Sequence, residues 1–515
     1  MTGLPAFPTD RRTLLRSSML LGAGAALLPR TGFAQSDVRA AIRAAATANK
    51  ASDIKRIQDW IALPTIAAEN RNVPEGAAYM EELARAAGFT GVRQVPTEGV
   101  PGVVGFMDNG ARHTLGIYFM YDVKQFDPAE WSSPPLEARI VDKPDWGKAI
   151  MGRGAVNQKG PEATFLAALH AMKAAGVTPP VNIALICEGE EEIGSPHFRQ
   201  IAETPDVLAA LRKCEGIFIP ASWQGPTGAV NVNLGSKGII ELELVASGEK
   251  WGRGPKGDIH SSQKAAVDSP VWRLVHALNT LVTPDGNTVA IDGWFDNVRP
   301  LTEREKELVR QAAAAGSEER TKASLGITHW IDDLSFEDAM IRLAEQPTVN
   351  IEGLVAGYTG PGGKTVLPGR AVAKLDLRLV PNQTREEAVR KLRAHLAAEG
   401  FSDVEVNVSG GYDPTETAED SALIRAELAA YKAMGVEATL NPRLAGSWPG
   451  ATFTAPPVSI PAGHFGLGHG SGAHAPDEYY VVESSNPNVA GITEATMGYV
   501  EIMYQLAAIA QRRSR

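Results

Sequence analysis

Cysteine is almost missing from this chain, with only Cys187 and Cys214 among 515 residues. So few thiols exclude a disulfide framework, and the fold has to be held by packed apolar cores. Both cysteines stand in apolar stretches, where two buried, unpaired thiols are expected. A basic patch is missing as well. The 50 Lys and Arg are outnumbered by 60 Asp and Glu, the net charge is -10, and the cations are scattered. That excludes a nucleic-acid or anionic-membrane surface, while a few cations local to a pocket would still suit an anionic substrate. No apolar run is long enough for a bilayer span, and the sequence shows neither an internal repeat nor a low-complexity tract.

What is present begins with an export address. "TDRRTLLRSS" carries adjacent Arg11 and Arg12, then come the apolar run "MLLGAGAALLP" and the small-residue site "TGFAQ". A charged start, a short apolar core and a cleavage site form, in that order, a signal of twin-arginine type. Residues 1–34 are therefore expected to be removed, leaving a periplasmic protein that begins near Gln35.

The mature chain has two textures. "HTLGIYFMYDV", "VNIALICEG" and "CEGIFIPAS" read as buried strands and alternate with helical stretches such as "PEATFLAALHAMKAAG". That alternation predicts an α/β domain with a largely parallel sheet. From about Gly235, "KGIIELELVASG" and "RAVAKLDLRLVP" alternate apolar and polar residues, as half-exposed strands do. Helical patterns in "SPVWRLVHALNTLV" and "REEAVRKLRAHLAAEG" accompany them, and residues 300–345 are charged and helical. The expectation is an α/β domain built from residues 35–234 and 413–515, interrupted by a smaller α+β domain at 235–412.

Open α/β sheets bind ligands at the carboxyl ends of their strands. Those ends carry Asp122, Ala221 and the triplet Glu190–Glu191–Glu192. Beside them stand the turn "GRGAVNQKGP" with Asn157 and Lys159, and a Gly-rich loop with His469 and His474. An acidic triplet is most often a solvated helix start, but three acids directly after an apolar strand have another use. The turn lacks the spacing of a phosphate loop. Lys159 reads equally as part of a tight turn, and His464 and His469 read as loop structure.

Taken in order, "YDV", "DPAEWSSPPLEARIVD", "GRGAVNQKGP", "EGEEEIGSPHF", "DIHSS", "LPGRAVAKLDLRLVPNQT" and "GSGAHAPDEY" give the chain a resemblance that covers nearly all of its mature length. It resembles the zinc aminopeptidase-like family of carnosinases, glutamate carboxypeptidases, aminoacylases and the deacylases of acetylornithine and succinyl-diaminopimelate. The resemblance implies a zinc-aminopeptidase-like α/β catalytic domain with an inserted α+β lid and dimerisation domain, in a homodimer. It also implies hydrolysis of an amide bond next to a free carboxylate, by two zinc ions bridged by an aspartate and a water.

Carried over residue by residue, the resemblance departs from the family at one metal. Met120 stands where the family has a His ligand, Asn157 where it has the bridging Asp, and Ala221 (or Pro220, one residue earlier) where it has a carboxylate. The other metal's ligands correspond to Asn157, Glu192 and His474, and its general base to Glu191. Met is a poor zinc ligand among oxygen donors, and a neutral Asn is a poor bridge. The expectation is a site reduced to one zinc ion, held by Glu192, His474 and Asn157, or to none. Glu191 would then move the protons, and Asp122 would orient a partner or substrate amine from behind the ligands. By the same resemblance His260 would stabilise an oxyanion, supplied by the partner subunit. Arg378 would grip the substrate carboxylate, unless it is an outward-facing strand charge.

The function implied is that of a dipeptidase, carboxypeptidase or N-acyl amino acid deacylase acting on a small carboxylate-bearing amide. An isomerase or lyase on the same fold is the alternative, and so is a non-catalytic binding protein. Against the last stands the trio Glu191, Glu192 and His474, which binding alone does not need.

Overall fold

The computed structural model describes residues 35–513, and the export signal lies outside them. The chain divides into Met1–Ala41 and a compact unit, Ile42–Arg515, which contains all that follows except the first residues of helix α1. No helix among the described residues is long and apolar enough to cross a membrane.

Helices and strands alternate first. The chain opens in helix α1 (Gln35–Ile61), and α2 (Val73–Ala87) has Pro in its first turn and stops at Gly88 with φ of 106°. Val73, Ala77, Met80, Ala84 and Ala87 recur at helical spacing on its buried side. Strands β1 (Thr90–Val95), β2 (Gly102–Met107) and β3 (Thr114–Met120) follow, then helix α3 (Gly160–Ala174) and strands β4 (Asn182–Glu188) and β5 (Cys214–Pro220). From Leu115 to Met120 and from Ile183 to Glu188 every residue is buried. Burial on both faces is why these strands are continuous apolar runs. Cys187 and Cys214 are both buried and unpaired, as expected.

The insertion contributes β6 (Gly238–Ser247), helix α4 (Pro270–Asn279), β7 (Thr348–Ala356), β8 (Arg370–Leu379), helix α5 (Arg385–Ala398) and β9 (Glu405–Tyr412). These strands form an antiparallel sheet in the order β7-β8-β6-β9. One face packs on α4 and α5 through Leu242, Leu244, Leu274, Leu278, Leu392 and Leu396. Residues 300–345 supply three helices between Glu303 and Glu345. β7 is absent from the sequence reading for a physical reason: it is an edge strand with no buried residue, so it carries no alternation to detect.

The chain then returns through α6 (Ala422–Ala433), β10 (Ala462–Phe465) and α7 (Ile492–Arg513). The first sheet is completed in the order β1-β2-β4-β3-β5-β10. Its β4, β3, β5 and β10 are parallel, and β1 and β2 form an antiparallel edge. A further small sheet joins Arg139–Lys143, Gly147–Met151, Tyr479–Ser484 and Gly470–Ser471, and it frames the turn that carries Asn157.

Candidate functional site

Strands β3 and β4 run side by side with Met120 opposite Glu188, so the residues that follow them emerge together. Asp122 is fully buried, and both its oxygens are engaged by the acidic turn: Oδ1 accepts the Glu191 amide at 3.2 Å and Oδ2 the Glu192 amide at 3.0 Å. Burial, reinforced by the charge of Glu192, lifts its carboxyl to about 7 against the pull of those amides. Asp122 therefore positions the turn. Its contacts are with these backbone amides, and it does not line the cleft itself.

The three acids of the triplet go to different places. Glu190 takes His197 Nδ1 at 2.9 Å and the Val100 amide at 3.1 Å, which makes it structural. Glu191 faces the cleft, and Tyr412 donates its hydroxyl to the Glu191 carbonyl at 2.7 Å. Burial raises the Glu191 carboxyl well above the usual range, and the neighbouring Glu192, Asp122 and Glu188 charges add to that rise. Lys124 works in the opposite direction. Glu192 points across to Asn157 and His474.

The turn holding Asn157 is fixed by a residue the sequence reading did not single out. Glu478 is fully buried; its Oε1 accepts the amides of Val156 and Asn157, each at 2.9 Å, and its Oε2 accepts the Gly154 amide at 3.0 Å. Arg153 donates to Oε2 at 2.8 Å and reaches the His474 carbonyl at 3.2 Å. One carboxylate thus ties the Asn157 turn to the His474 loop, and a buried charge is tolerable because every lone pair is used. Its only sequence signal was its place in "GSGAHAPDEY", four residues after His474. Lys159 proves structural: its buried ammonium donates to the carbonyls of Trp60 at 2.9 Å and Leu63 at 2.8 Å, and burial lowers its pKa to about 7.

Asn157, Glu192 and His474 do meet. Asn157 Nδ2 donates to Glu192 Oε1 at 2.7 Å and lies 3.1 Å from His474 Nε2, while Glu192 Oε2 is 3.1 Å from the same nitrogen. Around them is a polar chamber of about 410 Å³, lined by Lys124, Glu191, Glu192, Arg378, Ser447 and His474 among others. Arg378 is turned into this chamber, with Nη1 3.2 Å from Ser447 Oγ and Nη2 3.4 Å from Asp376, so it is not an outward strand charge. His260 is elsewhere: it pairs with Ser262 and Thr365, and it does not line the chamber in its own chain. His469 is structural, stacked on Trp146 and bonded to the Gln224 carbonyl. His464 is not loop structure. It lies in β10 and lines a second chamber on the other side of Glu191.

The donors decide what cation the site fits. Glu192 Oε2 is buried with no hydrogen-bond donor among the described residues, and its distance from His474 Nε2 lets both atoms ligate one small dication. Asn157 adds a neutral third donor if its amide presents oxygen, because oxygen and nitrogen are exchanged by a half-turn of that group. A second cation finds no such support: Met120 and Ala221 are buried and offer it no charged oxygen or imidazole. Among the described residues no group of three His, Cys, Asp or Glu side chains is gathered. Glu192 and His474, with Asn157 beside them, are the residues here whose chemistry fits a metal ion.

Comparison with known proteins agrees with this architecture. Residues 121–497 match peptidase family M20/M25/M40. The Cys-Gly metallodipeptidase dug1 of Schizosaccharomyces pombe is 27% identical over 290 residues, 56% of this chain and 57% of that protein. The human Beta-Ala-His dipeptidase is 28% identical over 286 residues, 55% of this chain and 53% of that protein. The chain thus spans little more than half the length of these two relatives. Among solved structures, the M20 family metallo-carboxypeptidase Sso-CP2 from Sulfolobus solfataricus superposes with a TM-score of 0.78 at 31% identity, over 88% of this chain and 99% of that one.

Proposed function

Because the chain belongs to peptidase family M20/M25/M40, we propose that it is a metal-dependent hydrolase of an amide or peptide bond next to a free carboxylate, working with a single zinc ion. The observation that carries this reading is the meeting of Glu192 and His474, 3.1 Å apart, on a chamber wall shared with Glu191 and Arg378. Glu192, His474 and the Asn157 oxygen would hold the ion. When bound, a zinc ion supplies a Lewis acid for the carbonyl and lowers the pKa of water.

The chain's own residues account for the rest. Arg378 holds the substrate carboxylate through its guanidinium fork. Glu191 takes a proton from the attacking water as its oxygen bonds to the carbonyl carbon, then passes that proton to the amine as the C–N bond breaks. A carboxyl raised by burial and like charges is suited to both transfers near neutral pH. Asp122 keeps the Glu191–Glu192 turn in register for this. An isomerase or lyase would leave Arg378 and Glu191 in place but would have no use for the Glu192–His474 pair.

Export by the N-terminal signal and work in the periplasm are part of the same reading. So is a homodimer: the edge strand β7 exposes Ile351, Leu354 and Val355, and His260, bonded to Ser262 and Thr365, lies away from its own chain's chamber. The domain limits at 235 and 412 belong to the same reading, supported by the change between the two sheets.

Metal analysis and assay test the proposal together. Protein purified without chelator is expected to carry about one zinc per chain, to hydrolyse members of a panel of dipeptides and N-acyl amino acids, and to lose that activity on chelation and regain it with zinc. Full activity in metal-free protein overturns the role of the ion, and a panel left intact by the zinc-loaded protein overturns the hydrolase.

A further inference from the structure

The reading above uses the second chamber only at its edge, where Glu191 and Asn157 line it. Its volume is about 360 Å³. Met120, Ile219, Trp223, Leu444, Trp448 and His464 form an apolar and aromatic side, and Gln158, Ser447 and Ser471 add uncharged polar groups. Two indoles flank the His464 ring, each with centroids 4.7 Å from it, tilted by 37° for Trp223 and 57° for Trp448. No group among the described residues hydrogen-bonds the His464 ring, and burial pushes its pKa down to about 3, so it is a neutral imidazole. Glu191, at the boundary with the polar chamber, is the one acid in the lining.

We propose that this chamber is a specificity subsite for a bulky, uncharged, ring-bearing group on the opposite side of the scissile bond from the carboxylate. The preferred substrates are then N-acyl amino acids with an aromatic acyl group, rather than dipeptides with a free amino terminus. This rests on the hydrolase reading, which places the carboxylate at Arg378 and the reacting carbonyl at Glu191. The physical reasons are independent of it. Flat aromatic groups gain most between tilted rings, whose faces and edges complement one another. A chamber of this size suits a ring and its spacer. A free ammonium would find only neutral polar groups, Asn157, Gln158, Ser447 and Ser471, beside the thioether, aliphatic and indole groups, with Glu191 its sole countercharge and that carboxylate engaged in proton transfer. The neutral imidazole adds a site for one hydrogen bond without demanding charge.

The test is calorimetric binding to the Glu191→Gln protein, which keeps both chambers but cannot turn substrate over. N-benzoylglycine is expected to bind about tenfold tighter than N-acetylglycine, and phenylalanylglycine, with its free ammonium, weaker than N-benzoylglycine. Trp223 is half-exposed at the chamber wall, so Trp223→Ala can be made without emptying the core, and it is expected to bring the benzoyl-to-acetyl ratio close to one. Equal affinity for the two acyl groups overturns the subsite, as does tightest binding of phenylalanylglycine, which would mean that the indole faces read a cation. Failure of the underlying reading looks different. A tenfold benzoyl preference with no hydrolysis by the wild-type protein keeps the subsite and removes the enzyme, whereas hydrolysis without that preference does the reverse.

Discussion

The two chambers that meet at Glu191 are fed by adjacent parallel strands, yet one is rich in charged side chains and the other has Glu191 alone. On the β4 side the wall is Glu192, Lys124, His474 and Arg378. On the side of β3 and β5 it is Met120, Ile219 and two tryptophans. The backbone barely distinguishes these strand ends: β3 pairs in parallel with both β4 and β5. The difference is made by a few side chains, Met120, Trp223 and Trp448 on one side and Lys124, Glu192 and Arg378 on the other. A strand end can thus be turned from a charged site to an apolar one while the sheet beneath keeps its shape, because the buried strand face and the ligand-facing residues are separate parts of the sequence.

The contrast can be broken at its boundary first. Glu191→Gln removes the one acid that both chambers share, and kcat is expected to fall by about a thousandfold with zinc content unchanged. Turnover that survives this change would mean that the chemistry lies elsewhere. Next is the polar side: Arg378→Ala is expected to lower kcat/KM by about 10- to 100-fold for carboxylate substrates and to leave carboxamide-capped analogues unaffected. A uniform loss on both kinds of substrate would return Arg378 to a structural role.

The smallest effect is one of pH. A base must be ionised, and the Glu191 carboxyl is raised by burial and like charges. Activity should therefore rise with pH along an acidic limb lying well above the ordinary Glu value. In the Glu191→Gln protein, which takes that titrating carboxyl out of both chambers, binding of an aromatic acyl group should stay flat over the same interval, since His464 remains neutral down to about pH 3. An acidic limb at the ordinary value would remove the crowding argument, and aromatic affinity that changes between pH 5 and 8 would place a titrating group in the apolar chamber.

Much of this was legible along the chain. β3, β4 and β5 are buried on both faces, and such strands declare themselves as apolar runs. The acidic triplet was visible as a strand end, and Met120, Asn157 and Ala221 as departures from a family pattern. What escaped detection depends on partners that sequence does not display. Asp122 and Glu478 spend their charge on backbone amides, and amides have no sequence signature. β7 buries nothing, so it has no pattern. His464 gains its place only because Trp223 and Trp448, 225 residues apart in numbering, close on it from two sides.

Glu478 has a consequence for how the molecule comes into being. The carboxylate that shapes residues 154–157 arrives more than 320 positions later along the chain. During synthesis, the first half of the catalytic domain can lay down its sheet while the loop at Asn157 still lacks its anchor. The working centre therefore waits for the last stretch of polypeptide, the same stretch that brings β10 to the sheet and α7 to the core.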